Sequence, residues 1–336
     1  MHLDRLKRRE LIALLGGAAA AWPLAARAQS GPVRHIGVLM NGAATETASQ
    51  SYVAAFVQAL HQLGWTEGRN VRIDIRWNAG DATLASIYAA QLIGLQPDVI
   101  VASTTPNLIA IRQATSTVPV VFLLVSDPVE QGFVANVANP GGNLTGFSAF
   151  EFSIGGKWLD LLKEIAPGLQ RVGVMFNPDT SPQSKFFVRS VEAAAPSLHM
   201  QSIVLPVRAT ADIEPAFESF ARAPNSGLIL TSDAFTAMRQ KLIVDLASHY
   251  RLPSISSNSS FPKDGGLMHY GIDVNTLDKF RQAAGYVDRI LKGAKAGDLP
   301  VQQSDKYTLI INLKTAKTLG LTIPLPLIGR ADEMIE

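Results

Sequence analysis

The sequence predicts an α/β protein of two Rossmann-like lobes, each with a parallel sheet, joined by a hinge of several strands. Three observations predict it. First, one stretch occurs twice: His35-Ile36-Gly37-Val38-Leu39-Met40-Asn41 and Arg171-Val172-Gly173-Val174-Met175-Phe176-Asn177 share an apolar run that ends in Asn. Second, the likeness continues downstream, where Pro97-Asp98-Val99-Ile100-Val101-Ala102-Ser103 is echoed at 225–232 and Val118-Pro119-Val120-Val121-Phe122 at 252–256. Third, short apolar runs without alternation, each followed by an amphipathic segment, fit strands covered on both faces and joined by right-handed helical crossovers.

Taken in order, the 35–41 strand leads into the polar turn Asn41-Gly42-Ala43-Ala44-Thr45. Residues 49–63 then carry Tyr52, Val53, Phe56, Val57, Leu60 and Leu63 at helical spacing, and Gly64 is the stop. Alternating Val71, Ile73, Ile75 and Trp77 read as a second strand. A helix over 82–95, a strand over 97–103, a helix over 106–114 and a strand over 118–125 complete the first series. The turn formers Asn139-Pro140-Gly141-Gly142-Asn143-Leu144-Thr145-Gly146-Phe147 place the first crossing between lobes, ahead of a helix over 155–165. The second series is strand 171–177, helix 184–195, strand 201–206, helix 213–221, strand 228–231, helix 238–250 and strand 254–256. Residues 265–271 read as a strand returning toward the first lobe, and 277–291 as a helix with Phe280, Ala284, Val287 and Leu291 on one face. A late strand at 307–312 and a short helix at 314–319, ended by Gly320, close the pattern. Chain order and lobe order therefore part company. Lobe one is expected over 33–146 plus about 272–304, and lobe two over 147–271 plus about 305–330.

Composition narrows the function. A chain of 336 residues with 47% hydrophobic and 17% charged residues can bury two ordinary cores. Thirty basic against 28 acidic residues, a formal +2, leave no electrostatic footprint for nucleic acid. No cysteine is present, which excludes disulfides, thiolate metal sites and a Cys nucleophile. Lys7-Arg8-Arg9, the apolar run over 11–21 and Ala26-Arg27-Ala28 have the layout of a signal peptide over 1–28, cleaved after Ala28. Arg8-Arg9-Glu10-Leu11-Ile12 has the order of a twin-arginine signal, so the export route stays open between the two pathways. The run is much shorter than the roughly 20 residues a membrane span needs, and the expected location is the periplasm.

In open parallel sheets a ligand sits beyond the carboxyl ends of the strands. There Ser103, Thr104 and Thr105 precede Pro106, which leaves helix N–H groups and the positive dipole end facing the cleft, where they suit a carboxylate or serve simply as a cap. Thr180, Ser181 and Ser184 hold the matching place in lobe two. Asp127 after Ser126, Asp233 after Ser232, and Asp273 after Gly271 would each pair with a ligand ammonium or cap a turn. Asn41 and Asn177 would bond the ligand or close their loops. Phe235 and Phe261, in polar stretches, are expected to cover an apolar part of the ligand; Tyr52 and Phe176 serve equally well as core. No Gly-x-Ser-x-Gly elbow, no His pair at i, i+4 and no Gly-x-Gly-x-x-Gly after the first strand points to a hydrolase, a metal site or a dinucleotide. His269, in an apolar run, reads as a structural histidine. No cofactor is implied.

The leader, the 139–147 turn, Gly265-Gly266-Leu267-Met268, the segment Ala283-Ala284-Gly285-Tyr286-Val287-Asp288-Arg289-Ile290-Leu291-Lys292-Gly293-Ala294 and Asn312-Leu313-Lys314-Thr315-Ala316-Lys317 resemble the ABC transporter substrate-binding protein family. Its best-understood branch takes up tryptophan and related aromatic amino acids. The resemblance implies a type I periplasmic-binding fold, no enzymatic activity, and a monomeric receptor that closes on a small-molecule ligand and docks on an ABC permease in the inner membrane. A departure is Ser256-Ser257-Asn258-Ser259-Ser260, where the family usually carries bulky or charged residues. On this reading Ser103, Thr104 and Thr105 would hold an anionic end of an amino acid, Asp127 or Asp233 a cationic one, and Phe235 or Phe261 the side chain. The alternatives are a sensing module for a sensor kinase and a hydrolase working in the cleft.

Overall fold

The computed structural model describes residues 32–272, 275–303 and 306–336. The leader and Asp273 lie outside the described residues. Two sheets organise the chain. The first has five strands, β1 (Arg34–Met40), β2 (Val71–Trp77), β3 (Val99–Ser103), β4 (Val120–Val125) and β5 (Leu144–Ser148), in the order β2-β1-β3-β4-β5, all parallel. Helices α1 (Thr47–Gln62), α2 (Ala82–Gly94) and α3 (Thr105–Ala114) make the crossovers.

The strand interiors are buried because both faces are covered. Ile36, Val38, Val99, Val101, Val121 and Leu123 face one core, and Leu39, Ile100, Ala102, Val120 and Phe122 the other. This is why the runs lack polar alternation. The glycine-rich turn runs on into β5 rather than serving only as a crossing. Gly146 lets β5 come against β4, since a Cβ there would lie 2.0 Å from the Phe122 carbonyl oxygen.

The second sheet has seven strands in the order β12-β11-β10-β9-β8-β6-β7. These are β6 (Arg171–Phe176), β7 (Gln201–Pro206), β8 (Ser226–Leu230), β9 (Ser254–Ser256), β10 (Met268–Ile272), β11 (Tyr307–Asn312) and β12 (Glu333–Ile335). Among the described residues only the β10–β11 pair of this sheet is antiparallel. Helices α4 (Ile154–Ile165), α5 (Ser184–Ala194), α6 (Ile213–Ala221), α7 (Ala234–Met238) and α8 (Gln240–His249) surround it. The single helix expected over 238–250 thus starts earlier and breaks at Arg239.

Strand β10 stays in the second sheet. The chain returns to the first only with α9 (Thr276–Leu291), which buries Phe280, Ala283, Ala284 and Val287 against it and stacks Phe280 on Tyr52 at 5.4 Å. The chain then crosses back before β11, followed by the short α10 (Leu313–Thr318) and α11 (Leu325–Ile328). His269 on β10 is fully buried, with Nδ1 3.1 Å from the Ser256 carbonyl, the setting expected of a structural histidine.

Candidate functional site

The carboxyl ends of β1, β3 and β4 face those of β8 and β9 across an interlobe cavity of about 300 Å³, within the range of small-molecule pockets. Asn41, Thr104, Thr105, Leu124 and Ser126 line it from lobe one, and Gln183, Thr231, Ser232, Asp233 and Gln240 from lobe two. A second chamber of about 470 Å³ opens beside it, walled by Met40, Tyr52, Phe280 and Met238 and sharing Asn41, Thr104 and Leu124 with the first.

Lobe one reaches the cavity with a strained backbone. Thr104 (φ 71°) and Leu124 (φ 56°) both lie in the left-handed region although neither is glycine, a departure that costs about 1–3 kcal/mol each. The strand ends stay joined through Thr104 N–H donating to the Leu123 carbonyl at 2.7 Å. Thr104 stands at the N-cap of α3 without capping it, and its Oγ1 is buried and has no partner among the described residues. The first N–H groups of a helix have no intrahelical acceptor and carry the positive end of its dipole. Beside them an unpartnered hydroxyl makes a donor site suited to a carboxylate.

The neighbours predicted along with Thr104 each hold at least one backbone partner. Ser103 Oγ accepts from Asn41 N–H at 2.9 Å and lies 3.3 Å from the Leu39 carbonyl, so it ties β3 to β1. Thr105 Oγ1 accepts from Ser126 N–H at 3.2 Å, and the Ser126 carbonyl accepts from Gln131. Asn41 borders both chambers.

Lobe two is closed upon itself. Asp233 caps α7 and accepts from Phe235 N–H at 3.1 Å and Thr236 N–H at 3.2 Å. It also accepts from Asn177 N–H at 3.0 Å and the Thr180 hydroxyl at 2.6 Å. Those donors occupy the roughly four acceptor positions of a carboxylate. Asp233 borders the cavity but has no lone pair left over for a ligand ammonium, which corrects the expectation that it makes that contact directly. Asn177 closes its own loop: Oδ1 accepts from Asp179 N–H at 2.8 Å and Nδ2 donates to the Arg208 carbonyl at 3.0 Å. Ser181 and Ser184 are fully buried behind Thr231 and Ser232 rather than in the cavity wall.

Three further expectations fall away. Asp127 lies off the cavity and caps the following turn by accepting from Glu130 N–H at 3.0 Å. Phe235 is not in a loop but on the first turn of α7, where its ring turns into the lobe-two core and carries the Arg239 guanidinium 3.7 Å above it. Phe261 is fully buried in the same core; its ring packs against Gly266, where a Cβ would meet it at 2.2 Å. Phe176 is core as well, whereas Tyr52 lines the second chamber.

Two wall residues lacked any sequence signal. Gln183 is buried, and its Oε1 has no partner among the described residues. Gln240 borders the cavity while its amide holds the serine-rich loop, donating to Ser260 Oγ at 2.7 Å and accepting from Asn258 at 2.8 Å. Among the described residues no group of three or more His, Asp or Glu side chains is placed to hold a metal ion.

Comparison with known proteins agrees with this architecture. Over 266 residues the chain is 28% identical to the tyrosine-binding protein of Clostridioides difficile, covering 79% of this chain and 75% of that one. A conserved domain protein of Vibrio cholerae superposes with a TM-score of 0.76 at 27% identity, covering 90% of this chain and 99% of that one. The L-Trp complex of an ABC domain from Streptococcus pneumoniae gives a TM-score of 0.75 at 23% identity, with the same coverage, a likeness of fold. The family model for ABC transporter substrate-binding proteins, solute receptors and not enzymes, matches residues 43–335. The chain is a member of the ABC transporter substrate-binding protein family.

Proposed function

We propose that this protein is the periplasmic receptor of an ABC importer and that it closes on an amino acid with a large apolar, in the first instance aromatic, side chain. One observation carries the reading: opposite walls of the cavity each hold a buried polar atom without a partner, Thr104 Oγ1 in lobe one and Gln183 Oε1 in lobe two. Buried polar groups are ordinarily paired, and a ligand with a donor at one end and an acceptor at the other pairs both. The ligand carboxylate lies at the start of α3, on Thr104 and the free N–H groups. Its ammonium faces Gln183, Thr231 and Ser232, in the field of the Asp233 charge. The side chain enters the second chamber between Met40, Tyr52 and Phe280. The tyrosine-binding relative and the L-Trp-bound fold relative support this ligand class.

Closure is a hinge motion of the lobe built on the first sheet and α9 against the lobe built on the second sheet. The closed form, which satisfies both walls at once, is the one a permease would recognise. Isothermal titration of the exported chain against the standard amino acids tests the reading. Heat and a thermal shift with an aromatic amino acid, and none with acidic or basic ones, are expected. Silence across every α-amino acid removes it.

A further inference from the structure

The lobe-two wall contains a chain of hydroxyls whose direction is set by its far end. Ser181 Oγ lies 3.0 Å from the Ser232 carbonyl oxygen and 2.7 Å from Ser184 Oγ, and Ser184 Oγ lies 2.7 Å from Thr231 Oγ1. Ser181 and Ser184 are fully buried. A carbonyl oxygen only accepts, and each hydroxyl has one proton to give. The Ser181 proton therefore goes to the Ser232 carbonyl, the Ser184 proton to Ser181, and the Thr231 proton to Ser184. Thr231, a residue of the cavity wall, is left with lone pairs and no proton to offer a ligand.

We infer that this relay makes Thr231 an obligate acceptor and so makes Ser184, which lies behind it, a positioning residue that selects ligands bearing an amino group over their deaminated counterparts. The inference rests on the amino-acid reading above and adds the source of its selectivity. It is consistent with the rest of the wall. Asp233 has its acceptor positions filled, and Gln183 Oε1 beside the relay is a second unpartnered acceptor. A donor on the ligand meets both. A ligand with a methylene in that place leaves both without partners, and an unpaired buried acceptor penalises binding.

The experiment uses the full exported chain and two ligands, L-phenylalanine and 3-phenylpropionate, which differ only in the amino group. Wild type is expected to prefer the amino acid by at least about tenfold, the effect of losing one hydrogen bond to a charged group. In Ser184→Ala the Thr231 hydroxyl loses its acceptor and turns its proton into the cavity. Affinity for phenylalanine then falls about tenfold while that for 3-phenylpropionate holds or rises, so the preference collapses. Ser184→Thr keeps the hydroxyl and restores the preference. An equal loss for both ligands in Ser184→Ala, or an unchanged ratio, overturns the inference and leaves Ser184 with a packing role only.

A second readout needs no ligand. The Thr231 hydroxyl proton, locked to Ser184, exchanges slowly with water in the NMR spectrum of wild type and rapidly in Ser184→Ala. If no amino acid binds but this proton is protected, the ligand reading fails while the relay's direction stands. If the proton exchanges freely in wild type, the relay itself is overturned.

Discussion

The two rims that face each other across the cavity descend from the same sequence pattern yet spend their polar groups differently. In lobe one, the end of β3 leaves Thr104 strained and unpartnered and the start of α3 open. In lobe two, the ends of β6 and β8 tie Asn177 to Asp233 and link Ser181 through Ser184 to Thr231. Ser103 makes both its bonds with the backbone of Leu39 and Asn41 at the end of β1, whereas the lobe-two hydroxyls hand theirs along a chain that ends at Thr231. The contrast teaches that a repeated motif supplies a rim but not a function. One rim is held in a strained form with donors to spare, and the other is a rigid wall of acceptors. Such division suits a receptor in which one lobe captures a charged end and the other completes the site on closure.

The contrast can be broken most severely below the second rim. Phe261→Ala removes a fully buried ring from the lobe-two core and should lower stability by about 3–5 kcal/mol. Ligand affinity, scaled for the folded fraction, should stay within about twofold, because the ring does not reach the cavity. Chemical denaturation and titration calorimetry check both halves, and a loss of affinity with stability intact returns Phe261 to the site.

Next in size is Asp233→Ala, which strips the acceptor from Asn177 N–H, the Thr180 hydroxyl, Phe235 N–H and Thr236 N–H at one stroke. A loss of about 3 kcal/mol is expected, in line with breaking a buried hydrogen-bonded network, measured in the ligand-free protein. If Asp233 were chiefly a ligand contact, ligand-free stability would hold and only affinity would drop.

The first rim should behave the other way. Thr104→Val keeps the shape and the strained backbone but deletes a hydroxyl that has no partner among the described residues. Ligand-free stability is expected to hold or to rise by up to about 1 kcal/mol. Affinity for a carboxylate-bearing ligand should fall about tenfold. Paired melting and titration curves decide it, and parallel losses would merge the two rims into one kind.

The smallest effect sharpens the comparison by leaving the rims out. At the opposite end of the first sheet, Asp74 lies 2.6 Å from His35 Nε2 and 2.8 Å from Arg72. Burial pushes its carboxyl up, but hydrogen bonds and charge from Arg72 and His35 outweigh that and hold it below the ordinary carboxylate value of 3.8. A carboxyl lowered on folding contributes stability above its unfolded value, and that contribution is lost as pH falls through the lowered one. Asp74→Asn should therefore lower the melting temperature near pH 6 by about 2 °C, equivalent to about 1 kcal/mol. The difference from wild type should shrink below about pH 4. Ligand affinity is expected to be unchanged throughout.

Much of the fold was legible because its strands and helices follow local rules. Apolar runs such as 99–103 can lie only between two covered faces, and the Phe280–Leu291 face could be seen to need a partner, found in the first sheet. Strand β5 was hidden, since Leu144-Thr145-Gly146-Phe147-Ser148 looks like turn material until Phe122 lies against Gly146. At the site, the Ser103-Thr104-Thr105-Pro106 signal found the right rim, but which of the three hydroxyls is left without any partner depended on whether Asn41 and Ser126 came within reach of the other two. Phe235 and Phe261 misled for a related reason: polar neighbours in sequence say nothing about a ring that turns inward beneath them.

By itself the sequence determined two sheets of parallel strands, their polar carboxyl ends and the position of the cleft, all of which follow from hydrophobic periodicity and from the residues that cap and turn a chain. Tertiary structure decided which polar groups at those ends are used up and which remain. A hydrogen bond between residues far apart in the chain, such as Thr180 to Asp233 or Ser184 to Thr231, is a matter of distance in space. Only after such bonds are counted does it follow that Thr104 and Gln183 have something left to offer a ligand.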